Sequence, residues 1–247
     1  MTLRLHIGQA LAAATSEFDL PEAAARHARV RRVQPGQSLL LFDGSGLDWP
    51  AEVVAMDRRV VRVRLGPAQR VERELALVVT LAFGMPANER MDTLVEKATE
   101  LGAARLQPLL TERSVLRLEG ERAQRRREHW QAVAASACEQ CGRARVPEVL
   151  PVLALAQWLD LPGAGLRWLL SPAPDAPPLP AAALPATAST VTLLSGPEGG
   201  LTPAEIARAA DAGFQAVSLG PRILRADTAP LAALAWLALA HTGQKSG

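Results

Sequence analysis

The first third of the chain shows the pattern of short β-strands. Apolar residues alternate with polar ones, or run together, for a few positions at a time, and turn residues such as PG at 35–36 separate the runs. The clearest runs are LRLHI at 3–7, SLLLF at 38–42, AEVVAM at 51–56 and VVRVRL at 60–65. Several short strands separated by turns are typical of a small β-barrel. The pattern therefore predicts a β-barrel domain over residues 1–73.

From residue 74 the pattern changes to an alternation of strands and helices. Apolar residues spaced three or four apart predict helices between Met91 and Leu101 and again over 119–141. Apolar runs predict strands at 74–83, 105–110, 146–150, 166–171, 191–195 and 214–219. Such alternation is typical of a mostly parallel sheet covered by helices on both faces. Residues 74–247 are therefore predicted to form an α/β domain.

Two segments of this second domain differ from the rest. Residues 172–190 hold six prolines among alanines, which predicts a low-complexity loop without enough apolar content to pack. The last predicted helix, APLAALAWLALA at 229–240, is apolar on nearly all sides but too short to cross a membrane. Such a helix must be buried, either within the monomer or between subunits. We favour a subunit interface.

Composition indicates a protein of a reducing compartment. No amino-terminal stretch has the order of a signal peptide and no apolar run could span a bilayer, so we expect a cytoplasmic protein without a membrane partner. Cys138 and Cys141 are the two cysteines, too few and too close for a disulfide framework. A metal would need further ligands, and both cysteines lie on an apolar helix face. Burial is therefore the preferred interpretation, and we expect no metal.

Positive charge is concentrated near the amino terminus. Residues 1–73 hold eleven lysines and arginines against eight acidic residues, whereas residues 74–247 hold sixteen against seventeen. The basic excess includes RHARVRR at 26–32. Such a run is either a solvated face or a contact for a polyanion, and both interpretations stay open.

The segment SGPEGGLTPAEI at 195–206 is the first candidate for chemistry. Its second half predicts a helix start with a Thr202 N-cap and a capping box to Glu205, and helix starts attract anions. A nucleoside triphosphate is disfavoured because the loop lacks the Lys-Ser/Thr pair of a P-loop and carries Glu198. S-adenosylmethionine fits better, since it offers an adenine edge to the backbone and cationic groups to a carboxylate. A purely structural turn remains the simpler alternative.

A second loop, LGPRILRADTAP at 219–230, repeats the order of strand, Gly-Pro turn and helix start. Loops at the carboxyl ends of parallel strands open on one crevice, so the two loops could share a site. The polar side chains of this loop are Arg222, Arg225, Asp227 and Thr228. For Arg225 and Asp227 the alternative is a surface ion pair, which would contribute about 0–1 kcal/mol.

Four blocks of sequence together resemble a known family. They are EKATELGAARLQPLLTERS at 96–114, ACEQCGRARVPEV at 137–149, SGPEGGLTPAEI at 195–206 and SLGPRILRADTAP at 218–230. In this order they closely resemble the SPOUT methyltransferases, and in particular the ribosomal RNA small-subunit methyltransferase E family. The resemblance covers nearly the whole chain, including RHARVRRVQPGQSLLLFDGSG at 26–46.

The resemblance implies a fold and a cofactor that periodicity could not indicate. The expected fold is a PUA-like β-barrel followed by a SPOUT-type α/β domain with a carboxyl-terminal trefoil knot, a rare exception to the rules of topology. The knot is expected to bind S-adenosylmethionine. The residues that match the family's cofactor loops are Leu170, Ser171, Pro172, Leu194, Gly196, Pro197, Glu198, Gly199, Gly200, Leu219, Gly220, Pro221 and Leu224.

The resemblance also implies a reaction and partners. The family methylates N3 of a uridine in small-subunit (16S) ribosomal RNA as a homodimer, so the RNA or the assembled small subunit is the expected substrate. The apolar last helix would then form the dimer interface. The barrel would contact the RNA backbone through Arg26, Arg29, Arg31 and Arg32.

Two residues of the second loop are the expected catalytic groups. N3 of uridine carries a proton at neutral pH, so the reaction needs that proton removed or the resulting anion stabilised. Arg225 is expected to stabilise a uracil oxygen, and Asp227 to act as a base or to orient Arg225. The family pattern R-x-E-T reads RADT here, which a structural ion pair tolerates more easily than a positioned base does. PANERMD at 86–92 keeps Arg90 but carries less charge than in relatives, which puts an RNA role of 87–89 in doubt.

Two alternative functions remain compatible with the sequence. A non-catalytic RNA-binding protein could retain the barrel and the knotted fold, and a methyltransferase on the same fold could act on another RNA base. The intact GPEGG and LGPRILR loops favour an enzyme over a binding protein.

Overall fold

A computed structural model of the protein describes residues 2–12, 16–179 and 188–240, with only the backbone of residues 88 and 89. The chain divides into two compact units. The first comprises Met1–Glu74 and Ala135–Val146, and the second comprises Leu75–Ala134 and Pro147–Gly247. Within the described residues, no helix has the length and apolar character needed to cross a membrane.

The first unit is built on a sheet of short strands. Its elements are β1 (Leu3–His6), β2 (Glu17–Asp19), α1 (Glu22–Val30), β3 (Ser38–Phe42), β4 (Leu47–Met56), β5 (Val61–Leu65) and β6 (Gln69–Arg70). In the described part of the chain these strands form one six-stranded sheet of order β1-β3-β4-β5-β2, with β6 paired to β4. The β1–β3 pair is parallel and the other pairs are antiparallel. All four predicted strands are therefore present.

Alternation along β5 explains how this sheet separates core from surface. Val61 and Val63 are fully buried in the core of the unit, whereas Arg62 and Arg64 between and after them are exposed. Arg62 pairs with Asp19 at 2.7 Å, and Arg64 pairs with a glutamate on the same neighbouring strand, β2. A period of two thus buries one face and leaves ion pairs on the other.

Helix α1 was not predicted from the sequence. Its buried face consists of Ala24, Ala25 and Ala28, and its other positions are mostly charged. Alanine contributes little to a hydrophobic pattern, so the helical period was hidden although alanine is the best helix former. The arginine-rich run at 26–32 therefore lies on the second half of α1 and just after it.

The second unit is an α/β domain, as predicted. Its elements are β7 (Val78–Gly84), α2 (Asn88–Glu100), β8 (Arg105–Leu110), α3 (Gly120–Cys141), β9 (Glu148–Val149), β10 (Leu153–Ala154), α4 (Leu155–Leu159), β11 (Leu166–Leu170), β12 (Thr190–Ser195), α5 (Pro203–Asp211), β13 (Gln215–Val217) and α6 (Thr228–Ala240). The last seven residues of α3 belong to the first unit. Among the residues described, the strands have the order β10-β8-β7-β12-β11-β13, with β9 on β8, and every pair is parallel.

Both faces of this parallel sheet are buried. Ala82 of β7 and Leu194 of β12 belong to a core cluster with residues of α4 and α5. Their neighbours Phe83 and Leu193 are also fully buried, and successive strand residues point to opposite faces. On the sheet, α6 packs against β12 and β7 and also contacts α2. The prediction of a sheet covered on both sides is thereby confirmed.

The proline-rich segment packs more than the sequence predicted. The N–H of Ser218, just after β13, donates to the carbonyl of Pro177 at 2.7 Å, and the N–H of Leu179 donates to the carbonyl of Ser218 at 2.8 Å. Proline lacks an N–H, but its carbonyl still accepts, so a proline-rich strand can pair along its acceptors. The remainder of that predicted loop, residues 180–187, lies outside the described residues.

Cys138 and Cys141 lie near the end of α3, and neither is disulfide-bonded. Cys138 is fully buried, and a hydrogen bond with Cys141 together with burial raises the pKa of the Cys138 thiol well above its usual range. A thiol of this kind is protonated and unreactive. Over the ranges that the structure describes, no group of three His, Cys, Asp or Glu side chains could hold a metal ion.

Candidate functional site

A cavity of about 640 Å³ opens at the carboxyl ends of β11, β12 and β13. This is the edge at which ligands bind in open α/β sheets, and the volume lies within the range of small-molecule sites. The lining consists of Arg90, Arg113, residues 169–172, 195–201 and 222–226, Ile206, Leu219, Gly220 and Ala229. The two loops singled out from the sequence therefore face one cavity, together with the end of β11.

Most of the predicted cofactor residues lie on this cavity. Eleven of the thirteen line it, and the two exceptions are Leu194 and Pro221. Leu194 points into the core of the second unit, where it is fully buried, and Pro221 is exposed on the second loop. Of the two predicted catalytic residues, Arg225 lines the cavity and Asp227 does not.

The glycine-rich loop reaches the end of β7 through an unusually close contact. A Cβ placed on Gly84, the last residue of β7, would lie 2.5 Å from Cδ of Pro197 and 2.7 Å from its nitrogen. No side chain fits there, so Pro197 can pass over this strand end only because residue 84 is a glycine. Gly200, with a φ of 68°, then turns the chain towards α5.

The start of α5 fixes the far end of the loop. Thr202 Oγ1 accepts from the N–H of Glu205, and Glu205 Oε2 accepts from the N–H of Thr202, which is the predicted capping box. The other oxygen of this buried carboxylate, Oε1, accepts from the N–H of Glu112 at 2.9 Å. Glu205 therefore ties the loop to the turn after β8.

Glu198 has protein partners of its own. Its Oε1 accepts from the N–H of Ala87 at 3.1 Å and lies 3.7 Å from Nη1 of Arg90. The carboxylate still lines the cavity, but part of its hydrogen-bonding capacity holds the loop against the start of α2. The sequence presented Glu198 as a free acceptor for a cationic ligand, and the structure gives it this second role.

Several residues that line the cavity were not predicted as site residues, and two of them, Arg90 and Arg113, contact the glycine-rich loop through their side chains. Arg113 lies in the turn after β8, and its Nη1 donates to the carbonyl of Gly199 at 2.9 Å. Both arginines come from segments about a hundred residues before the loop that they contact. Only the order of strands in the sheet brings them to the site, so no local motif could have identified them.

Arg225 and Asp227 are not joined in this structure. The backbone carbonyl of Arg225 accepts from the N–H groups of Thr228 and Ala229, both at 3.0 Å, which caps the start of α6. Asp227 Oδ1 accepts from the hydroxyl of Thr228 at 3.4 Å. Within the described chain, no hydrogen bond or ion pair links the Arg225 and Asp227 side chains. The guanidinium of Arg225 is exposed at the cavity and available to a ligand.

The four predicted RNA-binding arginines lie on the first unit. Arg26, Arg31 and Arg32 are exposed, whereas Arg29 is partly buried and donates to the carbonyl of Arg58 at 2.9 Å. Arg32 adopts a left-handed backbone with a φ of 55°, which ends the helix sharply. The turn between β4 and β5 adds Arg58 and Arg59 to the exposed positive charge of this unit.

Comparison with known proteins gives the class and then the family. Residues 73–238 match the family model of the RNA methyltransferase domain, and residues 20–66 match that of the RNA methyltransferase PUA domain. Ribosomal RNA small subunit methyltransferase E of Synechocystis sp. is 38% identical over 84% of this chain and 67% of the relative. The Bacillus subtilis protein of the same name is 31% identical over 83% of this chain and 82% of its own.

Solved structures agree with these sequence matches. Ribosomal RNA small subunit methyltransferase E from Neisseria gonorrhoeae, bound to S-adenosyl methionine, superposes with a TM-score of 0.87 at 34% identity, covering 95% of this chain and 96% of that one. A putative methyltransferase from Legionella pneumophila, with bound cofactor SAM, gives 0.89 at 32% identity, covering 97% and 98%. Sheet, cavity and domain matches together define an RNA methyltransferase-domain protein with a PUA domain. Within that class, the chain belongs to the ribosomal RNA small subunit methyltransferase E family.

The contact between Gly84 and Pro197 can be tested by substitution. Gly84→Ala is expected to lower the free energy of unfolding by about 1–3 kcal/mol, because the new methyl group forces Pro197 away from the strand end. Urea denaturation would measure the change. Gly8→Ala is the matched control, since a Cβ there meets no heavy atom within 4 Å. Equal stability of Gly84→Ala and the wild-type protein would contradict the expected crowding.

Proposed function

We propose that the protein is an S-adenosylmethionine-dependent methyltransferase that modifies N3 of a uridine in small-subunit (16S) ribosomal RNA. The observation that carries the proposal is the cavity, on which eleven of the thirteen residues expected to bind the cofactor come together. Relatives of known structure with this fold hold the same cofactor. A ribosomal substrate also implies that the protein acts in the cytoplasm.

The residues of the cavity suit S-adenosylmethionine. Leucines and isoleucines such as Leu201, Ile206 and Leu224 offer apolar surface for an adenine ring. The glycines at 196, 199 and 200 expose backbone groups to the polar edge of the adenine ring. One carboxylate oxygen of Glu198 is available for a cationic group of the cofactor. When bound, the cofactor would supply a methyl group activated by a sulfonium.

The protein's part in the reaction is to prepare N3 of uridine as a nucleophile. As N3 loses its proton, negative charge develops on the uracil oxygens, and Arg225, which is exposed and lines the cavity, would stabilise that charge. Asp227 would serve as the base only if the loop after β13 moves, because its carboxylate does not line the cavity. Transfer of the methyl group to N3 would then release the proton to water, or to Asp227 after such a movement of the loop.

A trefoil knot is part of the proposal. The N–H of Ser171 donates to the carbonyl of Val217, while Pro177 and Leu179 pair with Ser218 on its other side. Ser171 and Leu179 belong to one continuous segment between β11 and β12, so the chain leaving β13 runs between two parts of that segment. It then returns to the centre of the sheet, where α6 packs on β12 and β7. A crystal structure in which residues 219–227 ran outside that segment would contradict the knot.

A homodimer is also proposed, with α6 at the interface. Ala233, Leu234 and Leu237 are buried within the protomer, whereas Leu239 is 76% exposed. Trp236 packs against Trp168 of β11 with the rings tilted by 57° and their centroids 6.4 Å apart, so one side of the helix is already covered. The apolar positions left uncovered support a second protomer there, and light scattering on the purified protein would measure the mass.

Methyl transfer is tested directly by analysing nucleosides. Small-subunit RNA or subunits that lack the modification are incubated with the protein and labelled S-adenosylmethionine, and mass spectrometry of the nucleosides should find label in 3-methyluridine. Label in another nucleoside would show that the enzyme methylates a base other than uridine N3. No label despite cofactor binding by calorimetry would point to another RNA. No cofactor binding would favour the non-catalytic RNA-binding protein.

The role of Arg225 predicts a loss of rate without a loss of cofactor. Arg225→Ala is expected to lower kcat by about 10²–10³-fold, the usual cost of removing one donor to a developing oxyanion, while the Kd for the cofactor stays within twofold. Arg208→Ala is the matched control, because Arg208 on α5 is paired with Asp160 at 2.8 Å and does not line the cavity. Methylation at the wild-type rate by Arg225→Ala would eliminate this assignment.

The arginines of the first unit are proposed to contact the RNA backbone. The double variant Arg26→Ala/Arg31→Ala should weaken RNA binding and reduce the slope of log Kd against log salt by about 1.4–1.8, since each phosphate contact contributes about 0.7–0.9. Fluorescence anisotropy over a salt series would measure it. Arg62→Ala/Arg64→Ala removes the same charge from arginines already paired with acidic residues on β2. Identical slopes for the two double variants would refute a specific contact.

A further inference from the structure

The cavity carries positive charge that the proposed cofactor does not neutralise. Among the described residues that line it, the ionisable groups are Arg90, Arg113, Arg222 and Arg225 against Glu198, a net charge of +3. S-adenosylmethionine itself has one more positive than negative group at neutral pH. Bringing a cationic ligand into a cationic cavity costs electrostatic energy, which a neighbouring anion would offset. The excess positive charge therefore favours a second, anionic occupant beside the cofactor.

Two of the four arginines already have a role. Arg90 lies 3.7 Å from Glu198, which neutralises part of its charge. Arg225 is the group proposed to stabilise the uracil oxygen. The remaining positive charge on the cavity comes from Arg113, in the turn after β8, and Arg222, in the loop after β13.

Arg113 and Arg222 are both exposed and retain free donors. Arg113 donates one N–H to the carbonyl of Gly199, which holds its side chain against the glycine-rich loop. Most of its five donors remain available to a ligand. Arg222 makes no side-chain hydrogen bond or ion pair to the rest of the described chain, and its Nη2 extends back towards Gly220 on the same loop. Guanidinium groups with free donors at an open cavity are suited to phosphate oxygens.

We propose that Arg113 and Arg222 bind the sugar-phosphate backbone of the RNA next to the target nucleotide. The proposal rests on the proposed function and deepens it. A base edge becomes accessible only when the nucleotide is unpaired or turned out of its stack, and contacts to the flanking phosphates hold it in that position. The same chemistry could instead serve the carboxylate of the cofactor, and the experiment separates the two anions.

The experiment measures RNA and cofactor binding separately. Arg113→Ala and Arg222→Ala are compared with the wild-type protein by fluorescence anisotropy on a labelled small-subunit RNA fragment over a salt series, and by calorimetry with S-adenosylmethionine. Each substitution is expected to reduce the slope of log Kd against log salt by about 0.7–0.9, and Arg222→Ala is expected to leave the cofactor Kd within twofold of wild type. Arg117→Ala is the matched control, because Arg117 is in the same segment but does not line the cavity. It should match the wild-type protein in both measurements.

Three results would overturn the proposal. Weaker cofactor binding by Arg222→Ala with unchanged RNA binding would assign the arginine to the cofactor carboxylate. Equal losses in Arg113→Ala and Arg117→Ala would assign the effect to overall charge, and unchanged RNA binding in both cavity variants would exclude the contact. If Arg113→Ala disturbs the loop at Gly199, the result for Arg222→Ala is the one that tests the proposal. Methyl transfer by the wild-type protein is assayed in parallel. RNA binding through these arginines without methyl transfer would contradict the proposed enzymatic function but not the proposed RNA contact.

Discussion

The glycine-rich loop after β12 is held in place by the contact between Pro197 and the bare backbone of Gly84. From that contact the loop is fixed at successive points, by Glu198 on the N–H of Ala87 and by Arg113 on the carbonyl of Gly199. The capping box then fixes the start of α5, and its Glu205 also accepts a hydrogen bond from the turn after β8. A loop tied at each of these points keeps its shape without a ligand, which reduces the conformational entropy lost on binding.

The charged side chains of the site have two roles: some hold the glycine-rich loop in place, and others are available to bind a ligand. Glu198 in the loop and Glu205 in the first turn of α5 each accept hydrogen bonds from backbone N–H groups of other segments. The arginines of the site, by contrast, line the open cavity. The carboxylates therefore mainly stabilise the loop, and the guanidinium groups are the ones available to a ligand. The sequence of the loop had suggested instead that the Glu198 carboxylate would contact the ligand.

The sequence predicted the site as far as local patterns extend. Strand and helix periodicity placed both loops after parallel strands, and parallel strands bring such loops to one edge, so the cavity followed from topology. Arg90 and Arg113 could not be found this way, because their contacts with the loop depend on which strands are neighbours. Helix α1 was missed for a different reason, since Ala24, Ala25 and Ala28 bury a face without marking it as apolar. Residues 135–146 cluster with the first unit although 135–141 continue helix α3 without a break, and no change in composition marks residue 135.

The pairing of β7 with β12 has a consequence for folding. Val78 and Thr190 lie side by side in the sheet although more than a hundred residues separate them in the chain. Contacts between such distant residues form slowly, because a long loop must close before they contribute any stability. During synthesis β7 emerges long before β12, with Leu81 and Phe83 apolar and one sheet edge unpaired. Until β12 is made, the nascent chain therefore exposes an apolar strand with an unpaired edge, and such strands tend to aggregate.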